Sequence, residues 1–379
     1  MQLVAMGAQD VFLTGNPQIT FFKIVYRRHT NFSKECIRQD FTGDAKLGSS
    51  LTCTLSRNGD LVQEVYFKGK FSVDMRVDGY ANRYSGVRIE DITNLIKTVE
   101  VEIGGQKIDK HYTTWLDIYN ELFETKHDYQ KHMCGAKQKV ESNGNGHNTK
   151  SECVFFIPLR FWFNRNPGLA LPLIALQYHE VKVVLELSSS PTGTYSSLLV
   201  NYLYLDTDER RRFAQVSHEY LIEQVQHTGK EDVGTPTPAG ISKSVTLTFN
   251  HPVKALFWNW SMTGIDAGKF ASYTAKLQLN GHDRASEQTN IYFNGVQPYE
   301  CGLKHTRATP ATIAPHSNPG MYSFCLKPGE HQPSGSCNFS RIDNARLNLD
   351  NHSGNIEIFA LNYNVLRIMS GMGGLTYSN

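Results

Sequence analysis

Along most of the chain, apolar and polar residues alternate with a period of two. Val99, Val101 and Ile103 alternate with Glu100 and Glu102, which puts aliphatic groups on one face of a strand and carboxylates on the other. Gly104-Gly105 ends that run as a tight turn, because glycine takes positive φ without steric cost. The same pattern recurs at Val245–Phe249 and at Ala275–Leu279, the latter followed by Asn280-Gly281. Further strands are expected at Val181–Leu187, Leu198–Leu205, Tyr322–Leu326, Ala345–Leu349 and Ile356–Leu366, each rich in branched or aromatic side chains. Strands this dense, separated by turn signals, favour sandwiches or barrels over alternating α/β layers.

One segment breaks the alternation. Trp115, Ile118, Tyr119, Leu122 and Phe123 follow helical spacing and form a single apolar stripe. Thr114 and Asp117 stand three apart as a capping pair at its start. The expectation is a helix that covers one open end of a sandwich. A faint internal repeat runs through the strands: Val101–Gln106 resembles Leu277–His282, and Asn201–Leu205 resembles Asn362–Leu366. Two copies of one β-unit with loops of different length produce such a pattern.

Between the copies lies Asp206-Thr-Asp-Glu-Arg-Arg-Arg212. Opposite charges this close pair with one another or cap a short linker helix, and they form no oxygen cage for a metal. Thr228–Gly240, with two Pro and three Gly, reads as an exposed connection.

Composition narrows the class. The 379 residues carry 38 Lys+Arg against 36 Asp+Glu, a net charge of +2, which gives no domain-wide basic field for wrapping nucleic acid. Basic residues cluster only at Arg210–Arg212 and in an N-terminal stretch, where Lys23, Arg27, Arg28, Lys34 and Arg38 face just Asp10 and Glu35. Too few phosphates could be neutralised for strong binding, so this stretch suits a protein neighbour better. Seven Cys, sparsely spread, suggest a reducing compartment rather than a disulfide scaffold. No apolar run approaches the ~18 residues of a membrane helix, and no secretory leader is apparent.

The search for chemistry yields little. Cys301 with His305, the trio His127, His132 and Cys134, and the trio Cys325, His331 and Cys337 hold ligand-type residues without paired zinc-site spacing. Nucleophile elbows, S-x-x-K sets and H-E-x-x-H are absent from the sequence, and Gly371–Gly374 opens no helix. The expectation is no enzyme, no cofactor and no metal. N-x-S/T triplets at Asn31, Asn259, Asn338 and Asn351 are weak glycosylation candidates.

Three long stretches carry a family likeness. They are Gly7–Phe32 (GAQDVFLTGNPQITFFKIVYRRHTNF), Lys327–Asn344 (KPGEHQPSGSCNFSRIDN) and Asn362–Asn379 (NYNVLRIMSGMGGLTYSN). In this order, and with the charged stretch Asp206–Phe213 between them, they resemble the major capsid proteins of nucleocytoplasmic large DNA viruses. The resemblance implies an all-β chain of two tandem eight-stranded jelly-roll sandwiches, a double jelly roll with short helices in its loops. It divides the chain into an arm (1–27), jelly roll 1 (28–205), a linker (206–215) and jelly roll 2 (216–379).

The implied function is self-assembly. Homotrimers would form pseudo-hexameric capsomers that tile an icosahedral shell, beside neighbouring capsomers and minor capsid proteins and over an internal viral membrane. The chain itself would need no transmembrane segment and no nucleic-acid contact, and would assemble in the host cytoplasm. Asp10, Asn16, Phe21, Phe22, Tyr26, Arg27 and Arg28 would form an assembly arm, disordered in the lone chain and ordered in the shell. Loops at Thr228–Gly240 and Gly281–Pro319 are short for this family, which admits a smaller paralogue at special shell positions. A jelly-roll carbohydrate-binding protein and a cupin-like metalloenzyme are the competing readings.

Overall fold

The computed structural model describes residues 7–42, 49–74, 95–124, 133, 150–188, 193–232, 242–261, 273–303, 319–350 and 355–377. The first half contains β1 (Phe32–Asp40), β2 (Ser50–Thr54), β3 (Leu61–Asp74), β4 (Ile96–Ile103), β5 (Gln106–Tyr112), β6 (Lys150–Pro158), β7 (Leu171–Pro172), β8 (Val181–Leu187) and β9 (Gly193–Leu205). They form two antiparallel sheets, β1-β9-β3-β6 and β2-β8-β4-β5, with β7 beside β3.

The second half contains β10 (His218–Asp232), β11 (Ser242–Thr246), β12 (Pro252–Ser261), β13 (Thr274–Leu279), β14 (His282–Thr289), β15 (Gly320–Ser323), β16 (Cys337–Asn338), β17 (Ala345–Asp350), β18 (Asn355–Met369) and β19 (Met372–Leu375). Its sheets are β10-β18-β12-β15 and β11-β17-β13-β14, with β16 on β12 and β19 on β18. With β7, β16 and β19 set aside, the two halves have the same strand order, that of a jelly roll.

Period-two patterning makes each sandwich. Leu51, Cys53, Val99, Val101, Val183, Leu185, Val200 and Phe67 point into the first core. Val245, Leu247, Leu256, Trp258, Leu277, Leu347, Ile356 and Ile358 fill the second. The β4–β5 hairpin turns on Gly104 (φ 58°) and Gly105 (φ 82°), and β13–β14 turns on Asn280 (φ 50°) and Gly281 (φ 78°). Both are turns with two left-handed central residues, which the sheet twist favours. These hairpins occupy the same places in their sheets, and so do β9 and β18, which accounts for the internal repeat.

A second echo lies in the cores. Gly69 on β3 leaves room for the Phe155 ring on β6, where an added Cβ would sit 2.2 Å from Cζ. Gly320 on β15 does the same for Trp258 on β12, again at 2.2 Å. The glycine and the ring have exchanged strands between the two barrels.

Several expectations need correction. The helix with the apolar stripe, α2 (Thr113–Leu122), follows the short α1 (Asp10–Thr14). It begins one residue before the expected capping pair, with N-cap Tyr112 and no side-chain cap hydrogen bond, and the hydroxyl of its first residue, Thr113, donates to the Ile96 carbonyl. Thr228–Gly240 is strand up to Asp232, bulged between His227 and Lys230 around Gly229 (φ 97°), and residues 233–240 lie outside the described residues. The strand expected at Tyr322–Leu326 ends at Ser323, whose hydroxyl donates to the Cys325 carbonyl and turns the chain. Lys34 and Arg38 belong to β1 and not to a solvated basic arm; they pair with Glu64 (2.7 Å) and Asp40 (2.8 Å).

The charged stretch is a helix, α4 (Thr207–Gln215), preceded by the one-turn α3 (Trp162–Arg165). Asp206 caps α4, accepting from the Thr207 N–H at 2.8 Å. Arg210 pairs with Asp60 of the first barrel (2.9 Å) and not with its own neighbours.

Candidate assembly surfaces

The most developed surface in the fold joins the two barrels. The α2 stripe does not close the end of its own sandwich. Trp115, Ile118 and Leu122 are buried against Val225, Ala255, Phe257, Met321, Phe359 and Leu361, on the outer face of the second barrel's β10-β18-β12-β15 sheet. Trp115 meets the Phe257 ring edge-on at 5.5 Å and Phe359 at 5.8 Å. Burial of each such side chain contributes about 1.5–3 kcal/mol. The stripe thus fastens one barrel to the other. It also explains why β18 reads as an almost unbroken apolar run, with Ile356, Ile358 and Ala360 facing its own core and Phe359 and Leu361 facing α2.

Polar groups fix the register of this seam. Val225 N–H donates to Asp109 Oδ1 (3.0 Å), and the Gln224 carboxamide donates to the Ile108 carbonyl. Glu223 accepts from Lys254 Nζ at 2.5 Å and pairs with Arg165 Nη1 at 2.7 Å. Lys254 is fully buried, donates also to the Glu330 carbonyl (2.9 Å) and lies over the Tyr363 ring. One carboxylate therefore holds two cations, one from each barrel, in a site where an unpaired charge is costly. Nearby, His227 stacks on Phe359 at 4.5 Å and tilts on Tyr112 at 4.4 Å. Burial pushes its imidazole pKa down, with Glu357 at 3.9 Å pulling the other way.

The chain's end closes the seam from the opposite side. Tyr178 N–H donates to the Gly371 carbonyl (3.0 Å), Gly373 N–H donates to His179 Nδ1 (3.1 Å), and Ile222, Leu366 and Ile368 enter the first barrel's cluster.

The expected arm lies apart from both barrels. Asp10 opens α1 and accepts from the Gly7 N–H (2.7 Å), and Asn16 takes a positive φ of 51°. Phe21, Phe22 and Tyr26 are 89%, 99% and 88% exposed, and Arg27 and Arg28 are exposed as well. Hydrogen bonds recorded for residues 7–30 are local. Among the sequons, Asn31 and Asn338 are exposed, and the Asn338 carboxamide accepts from Ser340 N–H (3.1 Å). Asn259 is half-buried within β12, opposite Glu357, a poor acceptor position; Asn351 lies outside the described residues. His127, His132, Cys134 and His305 also lie outside them. Among the described residues, no group of three His, Cys, Asp or Glu is placed to hold a metal, and no helix is long and apolar enough to cross a membrane.

Sequence reasoning missed the buried seam charges, because nothing in the pattern distinguishes Glu223, Lys254 and Arg165 from surface groups.

Comparison with known proteins decides the family. Residues 20–215 match the family model for the major capsid protein N-terminus, and residues 209–274 and 268–374 match that for the large eukaryotic DNA virus major capsid protein. The chain belongs to the major capsid proteins of large eukaryotic DNA viruses. It is 50% identical to the major capsid protein of Pyramimonas orientalis virus and 40% identical to that of Paramecium bursaria Chlorella virus 1, covering 100% of this chain and 99% of each relative. The quasi-atomic model of the PBCV-1 virus capsid superposes with a TM-score of 0.78 at 35% identity, over 95% of this chain and 100% of that one. The Faustovirus major capsid protein shares the fold at 12% identity, with a TM-score of 0.68 over 96% of this chain and 94% of that one. This major capsid protein is a structural component of the virion capsid, and its double jelly roll serves construction, not catalysis.

Proposed function

We propose that the chain is the repeating shell subunit of its virus: three copies associate into a pseudo-hexagonal capsomer, and capsomers tile an icosahedral shell assembled in the host cytoplasm over an internal membrane. One observation carries the reading. Each chain already holds two like barrels in a fixed, densely packed relation, so three chains present six similar barrels to a lattice. On this reading residues 1–27 form the arm, 28–205 and 216–379 the two barrels, and 206–215 the linker between them. The arm's exposed Phe21, Phe22 and Tyr26, with Arg27 and Arg28, supply an apolar and basic strap that orders on neighbouring chains or minor capsid proteins. The near-balanced charge suits the role, since subunits packed side by side repel if each carries a large like charge.

Analytical ultracentrifugation of the purified chain tests the reading. The expected species has three times the 42.8 kDa chain mass. A monomer at every concentration, or one that carries stoichiometric sugar or metal, overturns it. Protease resistance of residues 7–32 in the isolated chain would refute the disordered-arm part alone.

A further inference from the structure

Two thiols meet over one hydroxyl beside the seam. The second barrel's helical connection after β14 runs through Tyr292–Val296 into Gln297–Glu300, and Cys301 ends it. Phe293 anchors this connection in the core, against Trp258 at 5.3 Å. β15 stops at Ser323, whose hydroxyl donates to the Cys325 carbonyl (2.7 Å) and accepts from Cys325 N–H (3.2 Å). The two segments run side by side. Gln297 Oε1 accepts from Ser323 N–H (3.2 Å) at one end, and Leu303 borders Gly329 at the other.

Cys301 and Cys325 occupy the middle of this track. Cys325 Sγ lies 3.5 Å from the Ser323 hydroxyl oxygen, and the Cys301 thiol hydrogen-bonds to the same hydroxyl. Both thiols are free; Cys325 is buried and Cys301 half-buried. Burial pushes the Cys301 thiol pKa up, the Ser323 hydroxyl opposes that shift, and Cys325 and Glu300 add to it. Cys301 and Leu303 also pack against the cluster that holds Trp115, Ile118 and Leu122. A covalent tie between the two segments would therefore bear on the docking site of α2.

We propose that Cys301 and Cys325 form a redox staple, a dithiol in a reducing medium that closes to a disulfide on meeting a low-molecular-weight disulfide. The Cys301 thiolate attacks one sulfur of the oxidant, which makes a mixed disulfide and expels one thiolate. The Cys325 thiolate then attacks Cys301 Sγ, which makes the Cys301–Cys325 bond and expels the second thiolate. The two protein thiols lose two electrons and two protons, and the oxidant becomes two thiols. Cys301 reacts first because it is the more exposed, and its raised pKa makes this step faster as pH rises. The bridge ties the connection after β14 to the segment after β15 and so stiffens the second barrel where α2 docks.

The test uses the full-length chain, fully reduced and then incubated with oxidised glutathione at neutral and at mildly alkaline pH. Once the remaining thiols are alkylated, peptide mass mapping is expected to find Cys301 joined to Cys325, sooner at the higher pH. Dithiothreitol should remove the link. Oxidation should raise the melting temperature of the parent chain by a few degrees and leave that of Cys301→Ser unmoved. Cys36, exposed on β1, takes up glutathione in both chains and shows that the oxidant was active. Modification at Cys36 with Cys301 and Cys325 both still open to alkylation overturns the proposal. So does a glutathione that stays on Cys301 without the second step, or a link from either thiol to a different cysteine. A Cys301–Cys325 link with no change in melting temperature overturns the stiffening. The parent's peptide map decides the pairing by itself should Cys301→Ser fail to fold.

Discussion

β1 and β10 occupy the same place in their two barrels, and their surroundings could hardly differ more. β1 is exposed along nearly its whole length, while Ile222, Glu223, Gln224 and Val225 of β10 are buried in mid-strand. The difference is one of cover. β10 lies under β5 and α3 of the first barrel, whereas β1 has no such partner among the described residues of its own chain. Topology sets which strands exist; a neighbouring barrel decides which of them become interior. Within this chain, the cover of one jelly roll is supplied by the other.

The sharpest way to break the comparison is to remove the cover. Trp115→Ala should cost about 3–5 kcal/mol in chemical denaturation, whereas Tyr66→Ala on the uncovered face of the first barrel should cost the isolated chain far less. Comparable losses would mean that the covers do not differ in the way described. Next in size, Glu223→Gln should cost about 3–5 kcal/mol because it strands two buried cations. Lys254→Met should cost much less, since Arg165 still pairs with Glu223; the order of the two midpoints is the measurement.

Gly69→Ala and Gly320→Ala probe the inner faces, where the barrels are alike, and each should cost about 1–3 kcal/mol by overpacking. Unequal values would show that the cover reaches through the sheet. A smaller effect is expected from His227. Its folded pKa lies below the ordinary 6.5 because of burial, so the unfolded chain binds the proton more readily. Stability should therefore fall as pH drops from 6.5 toward the folded value, with His331 shifted in the same direction. His227→Gln should flatten the fall in melting temperature over this window, and an unchanged slope would exclude His227 as a contributor. Last, Arg210→Ala removes a largely exposed partner of Asp60 and should change stability by about 0–1 kcal/mol.

Local signals were read from the sequence with good accuracy. Val181–Leu187 is a strand over those very residues, and Gly104-Gly105 and Asn280-Gly281 are the turns their chemistry demands. The α2 stripe was legible as a stripe, but helical periodicity names a face and never its partner, so its docking across the barrel boundary went unread. β10 was missed for a related reason. Its sequence HEYLIEQVQHTGKED looks polar because Glu223 and Gln224 are satisfied by groups remote in the chain, Arg165, Lys254 and the Ile108 carbonyl. Arg27 and Arg28 stood out by their charge and Asp10, Asn16, Phe21, Phe22 and Tyr26 by family likeness, and the fold leaves all of them but Asp10 exposed.

The fastening of α2 to the second barrel also has a consequence in time. During synthesis the last strand of the first sandwich ends at Leu205, while the sheet that receives Trp115, Ile118 and Leu122 runs through β18, ending at Met369. At roughly 5–20 residues per second, the ribosome spends on the order of 10–30 s adding that missing half. Throughout the interval a barrel with all its strands, but still without Ile222, Leu366 or Ile368 for part or all of that time, carries a bare apolar helix. The chain must pass through a sticky adolescence before it becomes a building block, and its yield depends on how that interval is guarded.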